Sequence, residues 1–297
     1  MPITGGYSYG DVSAREDLSD TIKDLDVIDT WVSSHLSTVP VTNKVHSWIL
    51  DPITSVSSQA GTAEGADTTY ATTNPTLLTN TTQIIEYGVQ VTMTNEHTDH
   101  AGFTDKFARE KLKKMKQWKN QLELSLVAGS KASGSGTAAR TMQGIALNVA
   151  TNVTGFSSFS LDSPTLNLVL GVGWDNGAEY DTCLVGKVLK QRISSFSTPN
   201  VRNVAAEDAI IVGRVDTYDS DFGRITVVKH RFVNTATTQT QNGMVMYMTD
   251  YFSVGVMDAV HYEDRPATGY FKVGSIVGEY TIELKNEKAS AYSYGLL

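Results

Sequence analysis

Residues 51–98 contain no lysine or arginine, and the stretch that follows, residues 104–129, is crowded with them. The first segment is rich in Thr, Ser, Ala and Gly, and its only charges are the acids Asp51, Glu64, Asp67, Glu86 and Glu96. It holds too few large apolar groups to offset the entropy of ordering it alone. Such a segment needs a partner surface, which suits a protein that leans on copies of itself.

Two parts of this region read as strands. Residues 45–50 form one. At 82–94, Ile85, Tyr87, Val89, Val91 and Met93 alternate with Glu86, Gly88, Gln90, Thr92 and Thr94, the period of two that sets one face against apolar neighbours and the other toward water. The two are expected to pair as a long ribbon around a polar tip at 54–80. That tip exceeds the roughly 12–15 residues usual for a structureless loop, and a lone two-stranded ribbon is marginal in water. A projecting loop that folds against another subunit is therefore expected.

Thr104 is placed to cap the next helix, Asp105 to complement its dipole and Gly129 to stop it. Ala108, Leu112, Met115, Leu122 and Leu126 form a core-facing stripe on the helical wheel, widened by Phe107 and Trp118. Lys106, Arg109, Lys113 and Lys116, spaced by three and four, line up away from it. The acidic region before this helix favours a docking role for that basic row, because complementary charge steers encounter and fixes register. Glu64, Asp67 and Glu86 of one subunit are expected to lie near Lys106, Arg109, Lys113 and Lys116 of its neighbour.

Elsewhere, helical spacing at 17–36 (Leu18, Ile22, Leu25, Ile28, Trp31, Val32) predicts one or two short amphipathic helices ended by Pro40. A Gly/Ser-rich connector at 130–137 leads to a second lobe: an apolar run at 166–174, a strand at 183–186 and a helix at 187–196. Strands at 209–218 and 224–233 flank a turn at 219–223, and further strands follow at 244–248, 253–260 and 275–284.

The chain has 297 residues, 40% of them hydrophobic, which excludes disorder throughout. A net charge of −8 argues against nucleic-acid affinity driven by global charge. Cys183 is the only cysteine, so no intrachain disulfide forms, in keeping with assembly in a reducing cytoplasm. The N-terminus lacks the pattern of a secretory signal, and no apolar run reaches the length of a membrane span.

Local chemistry is sparse. Glu96, His97, Asp99 and His100 resemble a metal cluster, and a metal-dependent enzyme using Glu96, His97 and His100 is the rival reading from another class. No further ligands stand nearby, and a polar hinge between ribbon and helix is the plainer account. Asp219, Asp221 and Gly223 resemble the start of a calcium loop, but His230 stands where the bidentate Glu is needed. Asp221-Phe222-Gly223 lacks the companion motifs of a kinase, and neither a phosphate-binding loop nor a Gly-x-Ser-x-Gly elbow is present. No catalytic residue, cofactor or metal is assigned.

The order of arm, ribbon, long helix, second lobe and returning strands resembles the major capsid proteins of tailed bacteriophages, whose fold is shared with encapsulins and the floor of herpesvirus capsids. The segments Ala63-Glu64-Gly65, Thr81-Thr82-Gln83-Ile84, Arg140-x-x-x-Gly144-Ile145, Asp221-Phe222-Gly223-Arg224-Ile225 and Gly278-Glu279-Tyr280-Thr281 carry the likeness, mainly through their order.

The resemblance implies an α+β fold divided into an N-terminal arm (1–44), an extended loop (45–98), a peripheral domain (99–160) with spine helix 104–129, an axial domain (161–260) and a return to the peripheral domain (261–297). It implies self-assembly as hexamers and pentamers into an icosahedral shell enclosing double-stranded DNA, built in the host bacterial cytoplasm and carried in the virion. Some relatives crosslink through a lysine in the extended loop; this loop has none. A separate scaffolding protein, or none, is expected, with a portal and a possible cement protein as partners and no membrane. An encapsulin-type compartment around a cargo enzyme is the closest alternative.

Overall fold

The computed structural model describes residues 28–53, 61–67, 70, 72–100, 102–196, 216–236 and 242–296. Its first half runs through α1 (Trp31–His35), β1 (Ser37–Pro40), β2 (Val45–Leu50), β3 (Thr76–Thr81), β4 (Gln83–Thr92), α2 (Met93–His97), α3 (Lys106–Ala128) and α4 (Ile145–Asn148). The second half holds β5 (Val153–Phe159), α5 (Ser163–Asp175), β6 (Thr182–Val185), α6 (Lys187–Ser195), β7 (Thr217–Ser220), β8 (Gly223–Lys229), β9 (Asn242–Tyr247), β10 (Phe252–Asp264), β11 (Phe271–Leu284) and β12 (Ser290–Leu296). Helix and sheet are mixed, as the α+β expectation requires.

The strands form three sheets: β1-β10-β11-β4, β5-β12-β9-β6-β8-β7, and the isolated pair β2-β3. This corrects the expected ribbon. β2 pairs with β3, from Val45↔Thr81 to Leu50↔Thr76, while β4 runs antiparallel to β11 from Phe271↔Thr92 to Tyr280↔Gln83. The alternation in β4 is real, since Ile85, Val89 and Val91 are buried. The burying surface is the main body, where β4 packs on α3.

The spine helix also differs in detail. Asp105, rather than Thr104, is its N-cap, the carboxylate accepting from the Ala108 N–H at 2.7 Å. Trp118, Leu122 and Leu126 are buried and Met115 packs beside them, but Ala108 and Leu112 face outward. The covered stripe continues instead through Phe107, edge-on to Tyr262 at 6.2 Å, and Lys111, whose ammonium lies 3.5 Å from the Tyr262 ring centroid.

β10 crosses the expected boundary at 260 within the four-stranded sheet, and β12 joins the six-stranded sheet between β5 and β9. The expected arm helix survives in α1; its part before residue 28, and residues 209–215 of an expected strand, lie outside the described residues. β7 and β8 form the expected hairpin.

Period-two alternation gives the six-stranded sheet two apolar faces. Leu184, Val245, Tyr247 and Tyr292 join the core built on α3 and the four-stranded sheet. Cys183, Val185, Met244, Met246 and Ala291 face a second core with Leu166, Val169 and Leu170 of α5 and Leu189 and Ile193 of α6. Gly278 permits a close approach in the first core: a Cβ there would stand 2.7 Å from the Trp118 ring. Among the described residues no helix is long and apolar enough to cross a membrane.

Candidate assembly surfaces

The β2-β3 ribbon presents unequal faces. Trp48↔Leu78 and His46↔Asn80 share one, and Ser47↔Thr79 and Ile49↔Leu77 the other. Trp48 packs against the main core. Ile49 is 71% exposed and Leu77 66%, side by side, so the ribbon carries an apolar pair left open among the described residues. On α3, Leu112 is 67% exposed, and Arg109 and Lys116, three residues before and four after it, share its side of the helix.

The ribbon's root is held by a dense polar lattice. Buried Asn80 satisfies all four of its hydrogen-bonding positions: Nδ2 donates to the Gln143 and Ile282 carbonyls at 3.1 and 2.9 Å, and Oδ1 accepts from the Thr81 and Gln143 N–H groups at 2.9 and 3.0 Å. Thr81 Oγ1 donates to the Thr141 carbonyl at 2.6 Å, and Thr281 Oγ1 to the Thr81 carbonyl at 2.9 Å. Arg140 Nε donates to the Thr82 carbonyl at 3.0 Å, and its guanidinium pairs with Glu279, which also accepts from Thr82 Oγ1. Three segments far apart in sequence, around Thr81, Arg140 and Glu279, meet here.

A second polar cluster joins three parts of the fold. Glu123 of α3 is 0% exposed. Its carboxylate accepts from the N–H groups of Val32 at 2.6 Å and Ser33 at 3.0 Å in the first turn of α1, and from His230 Nε2 at 3.0 Å. His230 Nδ1 accepts from the Phe232 N–H at 3.3 Å, which leaves Nε2 as the protonated, donating nitrogen. Asp29 stands 3.8 Å from Nε2 and accepts from the Arg231 N–H at 3.1 Å. Among the described residues this is the one group of three or more side chains whose ligand atoms converge as a metal site requires. Internal donors and acceptors already satisfy it, so it acts as a hydrogen-bonded joint. Nothing local in the sequence marked it, because Glu123 lies 91 residues from the α1 N–H of Val32 and 107 from His230.

The sequence candidates are placed as follows. Glu64 and Asp67 are exposed in the segment between β2 and β3. Glu86 lies on the outer face of β4, outside the ribbon, and pairs with Arg265 at 2.7 Å. Lys106 and Lys113 both bind Glu110, at 3.2 and 3.4 Å. Burial pushes the Glu110 carboxyl up, but hydrogen bonds and charge from these lysines outweigh it and the net shift is downward. The Arg109 guanidinium lies 4.8 Å from the Phe103 ring centroid, and Lys116 is half-buried with a partner of its own.

The structure does not gather Glu96, His97 and His100 into a metal set. Glu96 instead accepts from the Phe107 N–H at 3.0 Å and pairs with Lys272 at 2.9 Å, while His100 stacks on Phe103 at 4.7 Å. Glu96 thus anchors the start of α3, the hinge role its sequence position suggested. Asp219 pairs with Arg224 across the β7-β8 turn at 3.5 Å.

A family model described as SU10 major capsid protein matches residues 3–296. Comparison with curated proteins gave no significant sequence match. Among solved structures, the holo-SrpI encapsulin complex from Synechococcus elongatus PCC 7942 is 10% identical with a TM-score of 0.63, covering 95% of this chain and 92% of that chain. The capsid of cyanophage P-SCSP1u is 13% identical with a TM-score of 0.61, covering 99% and 95%. The capsid of Myoviridae phage XM1 is 9% identical with a TM-score of 0.61, covering 95% and 97%. At these identities the likeness establishes the fold; the family match goes further.

Proposed function

The chain belongs to the SU10 major capsid protein family, and from that premise we propose that it forms hexamers and pentamers that close into an icosahedral shell around double-stranded DNA. The four-stranded sheet with α3 serves as peripheral domain, the six-stranded sheet with α5 and α6 as axial domain, and β2-β3 with the segment between them as extended loop. The arm precedes them. Assembly takes place in the host bacterial cytoplasm with a separate scaffolding protein and a portal, and the shell ends in the virion.

The observation that carries this reading is the uncovered apolar pair Ile49 and Leu77 on a projecting ribbon. We assign its partner surface to Leu112 on a neighbour's α3, with Arg109, Lys113 and Lys116 alongside to receive Glu64 and Asp67. Glu86, held by Arg265, contributes less. Burying two aliphatic side chains from about two-thirds exposure contributes roughly 2–4 kcal/mol per contact, repeated around every ring. Charge sets register at this contact and apolar burial supplies most of its strength. With no lysine in residues 51–98, the loop is held without a lysine crosslink, so dissociated shells run as single subunits in denaturing gels.

The test is electron microscopy of particles from wild type and from Ile49→Asp/Leu77→Asp and Leu112→Asp variants. Closed shells are expected from wild type co-expressed with its scaffolding protein. Free subunits with a thermal transition within about 2 °C of wild type are expected from both variants. Uniform shells from all three would refute the assignment. An encapsulin-type compartment shares the fold; particles that hold a cargo enzyme and no DNA would favour it.

A further inference from the structure

The ribbon rests on the body through Trp48 and is anchored at its root, and the anchoring groups at the root are ordered. On β11, Glu279, Thr281 and Glu283 alternate onto one side of the strand. Each meets a different part of the root: Glu279 takes Thr82 Oγ1, Thr281 Oγ1 donates to the Thr81 carbonyl at 2.9 Å, and Glu283 pairs with His46 of β2 at 2.9 Å. The opposite side is braced by the connector after α3. There the Ala132↔Thr141 and Ser135↔Ala138 bridges fold residues 132–141 back on themselves. Lys131 Nζ reaches Thr79 Oγ1 at 3.1 Å, and Arg140 reaches the Thr82 carbonyl at 3.0 Å and Glu279.

Thr82 is the pivot. It is the single residue between β3 and β4, it is fully buried, and its N–H donates to the Lys44 carbonyl at 3.0 Å. At this residue the chain changes from ribbon to main sheet. The Lys44 carbonyl accepts from both the N–H and the hydroxyl of Thr82, at 3.0 and 3.2 Å, and the charged Arg140–Glu279 pair grips Thr82 across the residue, at its carbonyl through Arg140 and at its hydroxyl through Glu279.

We infer that Arg140 and Glu279 are positioning residues that fix the angle at which the ribbon leaves the body, and through that angle the curvature of the shell. The inference rests on the reading of the ribbon as the inter-subunit contact. The apolar pair lies several residues beyond the pivot, and Trp48 beside it rests on the main core as a second support, so a looser root lets the ribbon rock on Trp48 and sample several docking angles. The backbone-directed bonds of Asn80 and Thr81 hold the ribbon to the body, and the charged pair sets its direction.

The experiment compares wild type with Arg140→Ala, Glu279→Gln and Arg140→Lys, in two readouts. In unassembled subunits, hydrogen exchange at residues 45–50 and 76–81 is expected to rise roughly tenfold in Arg140→Ala while α3 amides stay as in wild type. Arg140→Lys, which keeps the charge but only one point of contact, falls between. In assembly, Arg140→Ala and Glu279→Gln are expected to give mixed diameters or open sheets from folded subunits.

Ribbon exchange within twofold of wild type in both Arg140→Ala and Glu279→Gln, or uniform shells of wild-type diameter from both, would overturn the inference. Glu279→Gln, nearly isosteric, decides the matter if Arg140→Ala fails to fold. Wild-type subunits that never close shells, with ribbon exchange still accelerated in the variants, would refute the assembly reading and leave the root's role standing.

Discussion

Replacing Glu123 by Ala removes the acceptor shared by three buried or half-buried donors: the N–H groups of Val32 and Ser33 and the Nε2–H of His230. Each donor left without a partner costs about 1–3 kcal/mol, so the loss lies at about 3–9 kcal/mol if nothing replaces the carboxylate. Water can enter beside Asp29 and Ser33, which are half-buried, and this places the expected value at about 3–5 kcal/mol. In urea, with a slope of about 3 kcal/mol per M, the unfolding midpoint should fall by about 1–1.7 M. Limited proteolysis should release the arm well before the body unfolds, because α1 loses both its cap and its tie to α3. Glu123→Gln, which keeps an acceptor but turns an amide N–H toward a donor, should lie between Ala and wild type. Glu123→Leu combined with His230→Phe should recover about a third of the loss, since it removes one of the three orphaned donors and leaves the two α1 N–H groups. A Glu123→Ala shift below about 1 kcal/mol would refute the view that this joint holds arm, spine helix and six-stranded sheet together.

Two further outcomes are expected. Burial pushes the Cys183 thiol up to about 12 against a small opposing effect of Lys190, so a thiol reagent at pH 8 should label the native subunit at least about a hundredfold more slowly than the unfolded chain; comparable rates would show that the second core opens freely. Burial also pushes Glu287 up, but hydrogen bonds from Thr151 Oγ1 and the Ala150 and Thr151 N–H groups outweigh it and its folded pKa lies below the ordinary 4.5. Its contribution is therefore present above 4.5 and lost as pH falls through the lowered value. Glu287→Gln should flatten the acid limb of a stability-against-pH curve and leave its slope near neutrality unchanged.

What the sequence disclosed follows the range of the forces involved. The strand at 45–50 and the long helix were legible because alternation, helical spacing and a cap are local. β3 was not: in Thr76-Leu77-Leu78-Thr79-Asn80-Thr81 the apolar residues are adjacent and the buried ones are Asn80 and Thr81, which enter the interior only because carbonyls of residues 141, 143 and 282 await them. β4 announced a half-buried strand but not its partner, since register with β11 is settled some 180 residues away. Leu112 misled the wheel because Lys111, an unpromising core residue, covers its place by laying its ammonium on Tyr262. The joint at Asp29, Glu123 and His230 left no local signal, whereas the short segments around Thr81, Arg140 and Glu279 proved to be pieces of one root.

The position of β12 bears on timing. It is flanked by β5 on one side and β9 on the other, yet it is made after both. During synthesis those two strands must wait with facing edges unsatisfied until residues 290–296 leave the ribosome and slot between them. A nascent chain therefore lacks a finished six-stranded sheet, and the second core beneath it, until translation has passed that point.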